Sequence, residues 1–528
     1  MKRRTLLGGA LGMVGLSCAP RHPRATPVAR FADLEHAARG HRLWGPPPRP
    51  VRDEKVSVAI VGAGVAGLCA AYRLAAAGLT DVAHFELADA AGGTALQGEG
   101  PRGPYPWGAH YLTLPNPEAR LMRRLLADFG VITGFSAEGR PEYDETMVAA
   151  APEERLWNGG RFSEGLWPVR IAPAAARAER DAFQAEVARL QQAVGADGKF
   201  AFSIPISGSS RDPAFLALVG LSFAEWLDQK GFTEPTFRWW VEYGCRDDYG
   251  TTLGTTSAWA GLHYHCARRP DPALELGSHV LTWPAGNGWL VQQLRARCPA
   301  PLRTGAVVRA VEPGPPGRLV VEQGGEAFSV TAEHVLLCVP TPVAGALLGQ
   351  PRPVAVDAAP WQVAALQVSR APKGQGCDLA WDTVLYGSPS LGYVRNSHQT
   401  DAFDGPCVLS WYEALTDPDP RAARRSLLAA DPQAEAERVL ADLRAAHPDI
   451  DALLEDITLF RWGHGTARPV VGLHDGRLDA LQEPLGAVSF AHTDLSGLSL
   501  FEEAAEHGVR AAEEVLARRG PPPVSWRA

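Results

Sequence analysis

Lysine is almost absent from this chain. Lys2, Lys55, Lys199, Lys230 and Lys373 are the whole complement in 528 residues, so nearly all basic side chains are arginine. The net charge is −8, which leaves no electrostatic footprint for a nucleic-acid partner. No apolar run approaches the ~18 uninterrupted residues a membrane-spanning helix needs. Cysteine is sparse, with 8 in all, and no two form a CxxC pair. The scattered Cys69, Cys245, Cys266, Cys298, Cys338, Cys377 and Cys407 read as small buried apolar residues. An oxidising compartment would permit disulfides, with Cys377 and Cys407 one candidate pair that sequence alone does not connect.

What is present is ordinary globular composition, 46% hydrophobic and 21% charged, in a chain long enough for two domains. The N-terminus reads MKRRTLLGGALGMVGLSCAP. Arg3 and Arg4 before the short apolar run Leu6–Leu16 resemble a twin-arginine export signal over 1–18, a route that carries folded proteins. Such a signal implies a periplasmic or cell-envelope location. Cys18 sits in a segment similar to a lipoprotein box, so membrane attachment through a lipidated Cys18 is one expectation and simple cleavage the other; one acyl chain alone anchors weakly. Residues 19–54, rich in Pro and Arg, read as an extended linker.

The pattern then changes. An apolar strand, KVSVAIV, runs into Gly62, Gly64 and Gly67, which open a helix ending near Gly78; a second strand follows and ends at Glu86. Strand, G-x-G-x-x-G turn, helix, strand and acid together make a dinucleotide-binding unit. Gly62 permits the tight turn, Gly64 admits a pyrophosphate to the backbone, and Gly67 lets helix and strand pack closely. The first turn of the helix, with Ala66, offers unpaired N–H groups to phosphates, and Glu86 can accept from ribose hydroxyls.

Beyond Glu86 the sequence resembles the flavin amine oxidase superfamily, which includes monoamine, polyamine and L-amino-acid oxidases. The resemblance rests on Gly92-Gly93, on Gly108-Ala109-His110, on VVRAV around Val308, on PAGNGWLVQQL, on LLCVPTP, and on FAHTDLSG followed by LFEEAAEHGVRAA. It implies an FAD cofactor. Gly93, Thr94, Gly108, Ala109 and His110 would lie beside it, the Val308 backbone would hold the adenine, Asp494 would take the pyrophosphate or ribityl chain, and Phe501 and Glu502 would meet the flavin pyrimidine. Thr94 replaces the family's arginine and His492 a glycine. The strand WQVAALQVSR carries Ala364 and Ala365 where many amine oxidases hold a lysine linked to flavin N5. That substitution leaves open whether oxygen or a quinone-type acceptor takes the electrons.

The expected fold is α/β: a Rossmann-like FAD-binding domain of glutathione-reductase type from 55–120, 285–345 and 456–519, with a discontinuous α+β substrate domain from 121–284 and 346–455. The resemblance implies oxidation of an amine, a polyamine or an amino acid, to an imine. The rival expectations are a desaturase-type flavoenzyme with an apolar cavity, and a non-catalytic FAD-binding partner. Candidate catalytic residues are His110, His464 and His263, as neutral imidazoles able to receive the amine proton. Glu242, Asp247 and Asp248 are an acidic cluster that either attracts a cationic amine or forms a solvated loop. Trp259, His263 and Cys266 would share one helical face, while Trp239 and Trp240 read as core. His263 and His265, spaced H-x-H, do not share one, so no metal is expected.

Overall fold

The structure is a computed structural model and describes residues 27–269, 274, 279–400 and 403–527. The twin-arginine segment and Cys18 lie outside the described residues. Two large sheets organise the chain. The first has Asp53–Val61 at its centre, paired in parallel with Val82–Phe85 on one side and Glu326–Leu337 on the other. Leu302–Arg303 and Val488–Phe490 add further parallel pairings, and Val307–Glu312 and Gly317–Gln323 extend the sheet antiparallel. Parallel strands covered on both faces need near-continuous apolar sequence. The segment VAIV supplies it, with Val58, Ala59 and Ile60 fully buried. This is the Rossmann-like half of an α/β fold.

The second sheet has eight strands, with the long antiparallel trio Ala358–Val368, Cys407–Ala414 and Leu454–Ala467 in its middle. A helical layer of Ala174–Gln191, Phe223–Gln229, Pro235–Tyr249 and Ala258–Cys266 packs around Phe183, Trp226 and Trp259. The C-terminal helix Phe501–Arg519 returns to lie on the helix Val65–Ala76. The approach is so close that a Cβ on Gly508 would sit 2.2 Å from the Ala66 carbonyl oxygen.

Three expectations are corrected. Residues 456–467, placed by sequence with the dinucleotide domain, belong to the second sheet through the strand Leu454–Ala467. Residues 27–54 are not a free linker: Arg30–Phe31 pairs in parallel with Thr458–Leu459, and the helix Leu34–His41 follows. What holds this segment is a long-range contact that no local pattern announces. The buried Asp33 receives hydrogen bonds from the Arg461 guanidinium at 3.0 to 3.3 Å across 428 residues of sequence. Arg39 then donates to the Leu87 carbonyl and to Asp89, so the segment bridges both sheets. Finally, Cys377 and Cys407 are free thiols, Cys407 fully buried within its strand.

Candidate active site

The glycine turn is built as its chemistry requires. Gly62 has φ +97°, and a Cβ there would lie 2.4 Å from the Cys338 carbonyl oxygen; a Cβ on Gly67 would lie 1.9 Å from the Gly62 carbonyl oxygen. His84, wholly buried, donates Nε2–H to that same Gly62 oxygen at 2.9 Å and braces the turn from below. Gly64 is the N-cap of the helix Val65–Ala76 and offers no side-chain cap, so the first N–H groups are open. They face a cavity of about 490 Å³ lined by Gly62, Gly64, Ala66, Glu86, Gly93 and Thr94 among others. Val308 lines it from the middle of the sequence, and His492, Asp494 and Phe501 from near its other end.

The donor set suits a dinucleotide. Gly64 and Gly93 face each other as bare backbone, and a Cβ on Gly93 would meet the Gly64 Cα at 3.3 Å. Glu86 accepts from the N–H of Ala63 at 2.6 Å and of Ala88 at 2.8 Å while lining the cavity; burial raises its pKa above the ordinary value. Asp494 accepts from the Thr341 N–H at 2.7 Å. Burial works against its ionisation, yet His492 beside it and Thr341 hold its pKa below the usual value. The segment 27–45 also reaches this cavity, since Gly40 and Leu43 form part of its wall.

Where the dinucleotide cavity ends, a smaller chamber of about 140 Å³ begins, and Thr94, Ala109, Trp462, Leu500 and Phe501 line both. Its walls are largely aromatic. Trp361 and Tyr412, from neighbouring antiparallel strands, lie nearly parallel at 20° with ring centroids 6.5 Å apart. His110 enters with its ring 5.0 Å from that of Tyr412. Its Nδ1–H donates to the Gly108 carbonyl at 3.0 Å, which leaves Nε2 as an acceptor. Burial lowers its pKa to about 4, so the imidazole is neutral and a weak base. Glu502 lines the chamber, Phe501 the chamber and dinucleotide cavity alike, at the first turn of the C-terminal helix, which has no side-chain cap.

The chamber opens into a vestibule of about 340 Å³, with His110, Tyr111, Asp247, Arg268 and Tyr412 common to the two. The vestibule gathers carboxyls in a low-dielectric setting. Burial first, then repulsion from neighbouring carboxylates, pushes Glu154 up to about 8 (beside Glu153 and Asp247) and Asp247 up to about 7 (beside Asp248), and raises Asp382 through Glu154 and Asp247. The nearby cations are already engaged. Arg268 binds Asp248 at 2.8 Å, and Arg269 is paired with Glu118. Among the described residues, Glu154, Asp247 and Asp382 therefore have no ion-pair partner.

The predicted site residues divide clearly. Gly62, Gly64, Ala66, Glu86, Gly93, Thr94, Ala109, Val308, Asp494 and Phe501 share the dinucleotide cavity, while Gly108, His110 and Glu502 line the chamber. Gly67 acts through packing rather than as a lining residue. His464 is exposed and lines the dinucleotide cavity, not the chamber. His263 is corrected: it is buried in the helical core, donates to the Ser203 carbonyl at 3.0 Å and stacks on Trp259. It took no part in the chamber because its helix turns that face toward Phe202 and Trp259. Asp247 and Asp248 lie on the helix Pro235–Tyr249 rather than a loop, whereas Glu242 turns away to accept from the Leu253 N–H.

Sequence reasoning missed Trp361, Tyr412, Glu154 and Asp382. Two signals were there to be read. Strand parity puts Trp361 and Val363, not Ala364, on the chamber face, and both line it. An aspartate heading the wholly buried strand DTVL is itself an anomaly, and Asp382 is buried there.

Residues 60–129 match the NAD(P)-binding Rossmann-like domain family. No curated protein matches the chain by sequence. The fold is similar over 88% of the chain to putrescine oxidase bound to putrescine, at 17% identity, covering 100% of that chain with a TM-score of 0.61. It is likewise similar to cyclohexylamine oxidase from Brevibacterium oxydans IH-35A, at 17% identity, 88% of this chain, 99% of that one and a TM-score of 0.62. A fatty acid isomerase from P. acnes aligns over 88% of this chain and 98% of its own, at 15% identity and a TM-score of 0.59. The chain thus joins a Rossmann-like dinucleotide-binding domain to a second sheet and a helical layer, in the fold of these proteins.

Proposed function

We propose that this protein is an FAD-dependent oxidoreductase that oxidises one end of a small diamine or polyamine to the imine. The observation that carries the reading is a continuous passage from dinucleotide cavity to aromatic chamber to carboxyl-lined vestibule. FAD would be held by the Gly62–Gly67 turn, Glu86, Gly93, Asp494 and the open N–H groups at Phe501 and Glu502; when bound, it supplies the hydride acceptor.

The chain's own residues give the substrate two unlike environments. The walls of Trp361, Tyr412, Val363 and Leu500 disfavour a charge, so an amine placed among them is pushed toward its neutral, oxidisable form. Neutral His110, with Nε2 as acceptor, orients an amine N–H there; at a pKa of about 4 it does not take the proton from an ammonium. The vestibule does the reverse. Its carboxyls favour a cation, and an ammonium there would relieve the repulsion among them. A molecule with one nitrogen in each region satisfies both.

Putrescine oxidase and cyclohexylamine oxidase, by their names, act on amines and share the fold. The fatty acid isomerase shares it too, so the fold alone does not choose; the buried acids favour the amine. They also count against an amino-acid substrate, since Arg268, the one arginine lining the chamber among the described residues, is already matched by Asp248. Export by the twin-arginine route, with or without a lipid anchor at Cys18, belongs to the same proposal and rests on the sequence of 1–18. Anaerobic mixing of purified protein with a panel of amines tests it. We expect the flavin to bleach faster with α,ω-diamines than with monoamines of equal length. Protein without flavin, or flavin bleached by apolar substrates and no amine, would refute it.

A further inference from the structure

The segment that precedes the first sheet is pinned on two sides of the dinucleotide cavity. On one side, Arg39 donates to the Leu87 carbonyl at 3.3 Å and to Asp89 at 2.6 Å. Leu87 directly follows Glu86, the acid at the end of the second strand of the dinucleotide unit. On the other side, Arg309 donates to the carbonyls of Gly45 and Pro46 at 3.3 and 3.0 Å. Arg309 directly follows Val308 on the strand Val307–Glu312. Arg42 and Arg309 both pair with Glu322, which ties this side a second time.

Between these pins the chain runs from the Glu86 edge of the cavity to its Val308 edge. Gly40 and Leu43 line the cavity along that crossing, as do Glu86, Leu87 and Val308 at its two edges. Leu43 also packs against the apolar cluster that holds Phe85 and Val308. Glu86 is the residue that meets the adenosine ribose in a unit of this kind, so the crossing lies at the adenosine end.

The hold on the crossing is light. Every residue of the helix Leu34–His41 is at least partly exposed, so little apolar burial fixes it. The pairs with Asp89 and Glu322 are partly exposed, and ion pairs of that sort are of modest worth. The firm attachment is at one end, where the buried Asp33 carboxylate meets Arg461 at 3.0 Å. A strap anchored at one end and lightly pinned beyond it opens locally without unfolding the sheets. A dinucleotide in the cavity adds contacts to Gly40 and Leu43, and linkage works both ways: the cofactor holds the strap down and the strap holds the cofactor in.

We propose that residues 33–45 are a cofactor-retaining strap: Gly40 and Leu43 complete the subsite for the adenosine half of the dinucleotide, whose release waits on local opening of the strap. The inference rests on the FAD reading above. Hydrogen exchange read by mass spectrometry, on full-chain protein loaded with FAD and stripped of it, tests the contact. Loading should slow exchange in 34–45 by roughly tenfold, while the helix Ala174–Gln191, outside the cavity's lining, keeps its rate. The rise of free-flavin fluorescence after dilution tests the consequence. Leu43→Ala should release FAD roughly tenfold faster, the scale of two buried methylenes, and Leu43→Met should restore the wild-type rate. Arg39→Gln removes only a partly exposed ion pair and a carbonyl contact, leaves the sheets intact, and should also speed release. Unchanged exchange in 34–45, slowing spread evenly over the chain, or wild-type release from both Leu43→Ala and Arg39→Gln would each overturn the strap while FAD binding stands. Protein that takes up no FAD would overturn the FAD reading, and the strap with it.

Discussion

Replacing Asp247 by Asn should separate diamine from monoamine oxidation, and the vestibule sets the size of the effect. At pH 7 Asp247, with its pKa near 7, is about half ionised, whereas Glu154, near 8, is mostly protonated. Asp247 also lines both chamber and vestibule, whereas Glu154 lines the vestibule alone. Asp247 is therefore the anion available to a distal ammonium. At ~4 Å and an effective dielectric constant near 20, that attraction is about 4 kcal/mol. After partial loss to desolvation, roughly 3 kcal/mol remains, about two orders of magnitude in rate constant. Asp247→Asn should accordingly lower kcat/KM for an α,ω-diamine by about 100-fold and leave a monoamine of the same length within a few-fold. The assay is anaerobic flavin reduction by stopped flow with both substrates. The wild-type preference for diamine should also grow between pH 6 and 8, as Asp247 and Glu154 ionise. Equal losses with both substrates would mean that Asp247 supports the chamber and binds no second nitrogen, and the reasoning would fail.

The same carboxyls make stability depend on pH. In the unfolded chain they release protons near pH 4, but Asp247 and Glu154 hold theirs to about 7 and 8. Between those values the folded state binds more protons, so Tm should fall as pH rises from 5 to about 8, and Asp247→Asn with Glu154→Gln should flatten the fall. Asp33→Ala would strand the buried Arg461 guanidinium, at a cost of about 3–5 kcal/mol; thermal melts should show a large drop in Tm, and an unchanged Tm would mean the segment 27–45 is not docked as described. Reduced protein should reoxidise slowly in air and fast with a quinone dye, because among the described residues no lysine lines the chamber, and Arg268 is neutralised by Asp248. Preorganised charge at such a centre is worth roughly two to three orders of magnitude, so oxygen matching the dye in stopped-flow reoxidation would reveal an unrecognised cation.

Much of the dinucleotide half was legible in the sequence because its chemistry is local. Gly67 is dictated by the Gly62 carbonyl within the same turn and Gly62 by its own positive φ, though Cys338 also crowds it from afar, and Glu86 lies at the end of the very next strand. Such constraints leave spacing that can be read. The chamber and vestibule were less legible because they are assembled from distant strands and helices. Trp361 and Tyr412 come together only through the register of Ala358–Val368 against Cys407–Ala414. Glu154 and Asp382 meet because two short strands pair in parallel. His263 shows the converse error. Its neighbours in sequence suggested a shared site-facing surface, but a buried histidine satisfied by a backbone carbonyl is what that surface proved to be.

The segment 27–45 ties the two sheets to the dinucleotide cavity. Its strand needs Thr458–Leu459 as a partner, its Asp33 needs Arg461, and its Arg39 needs the Leu87 carbonyl. The strand and Asp33 are held by the second sheet and Arg39 by the edge of the first, and Gly40 and Leu43 form part of one wall of the dinucleotide cavity. The residue after Arg461 is Trp462, which lines dinucleotide cavity and chamber alike. The docked N-terminal segment, the dinucleotide cavity and a chamber wall thus share one stretch of contacts through Arg461 and Trp462. One part of the dinucleotide cavity's wall is therefore made by the segment joined directly to residues 1–26.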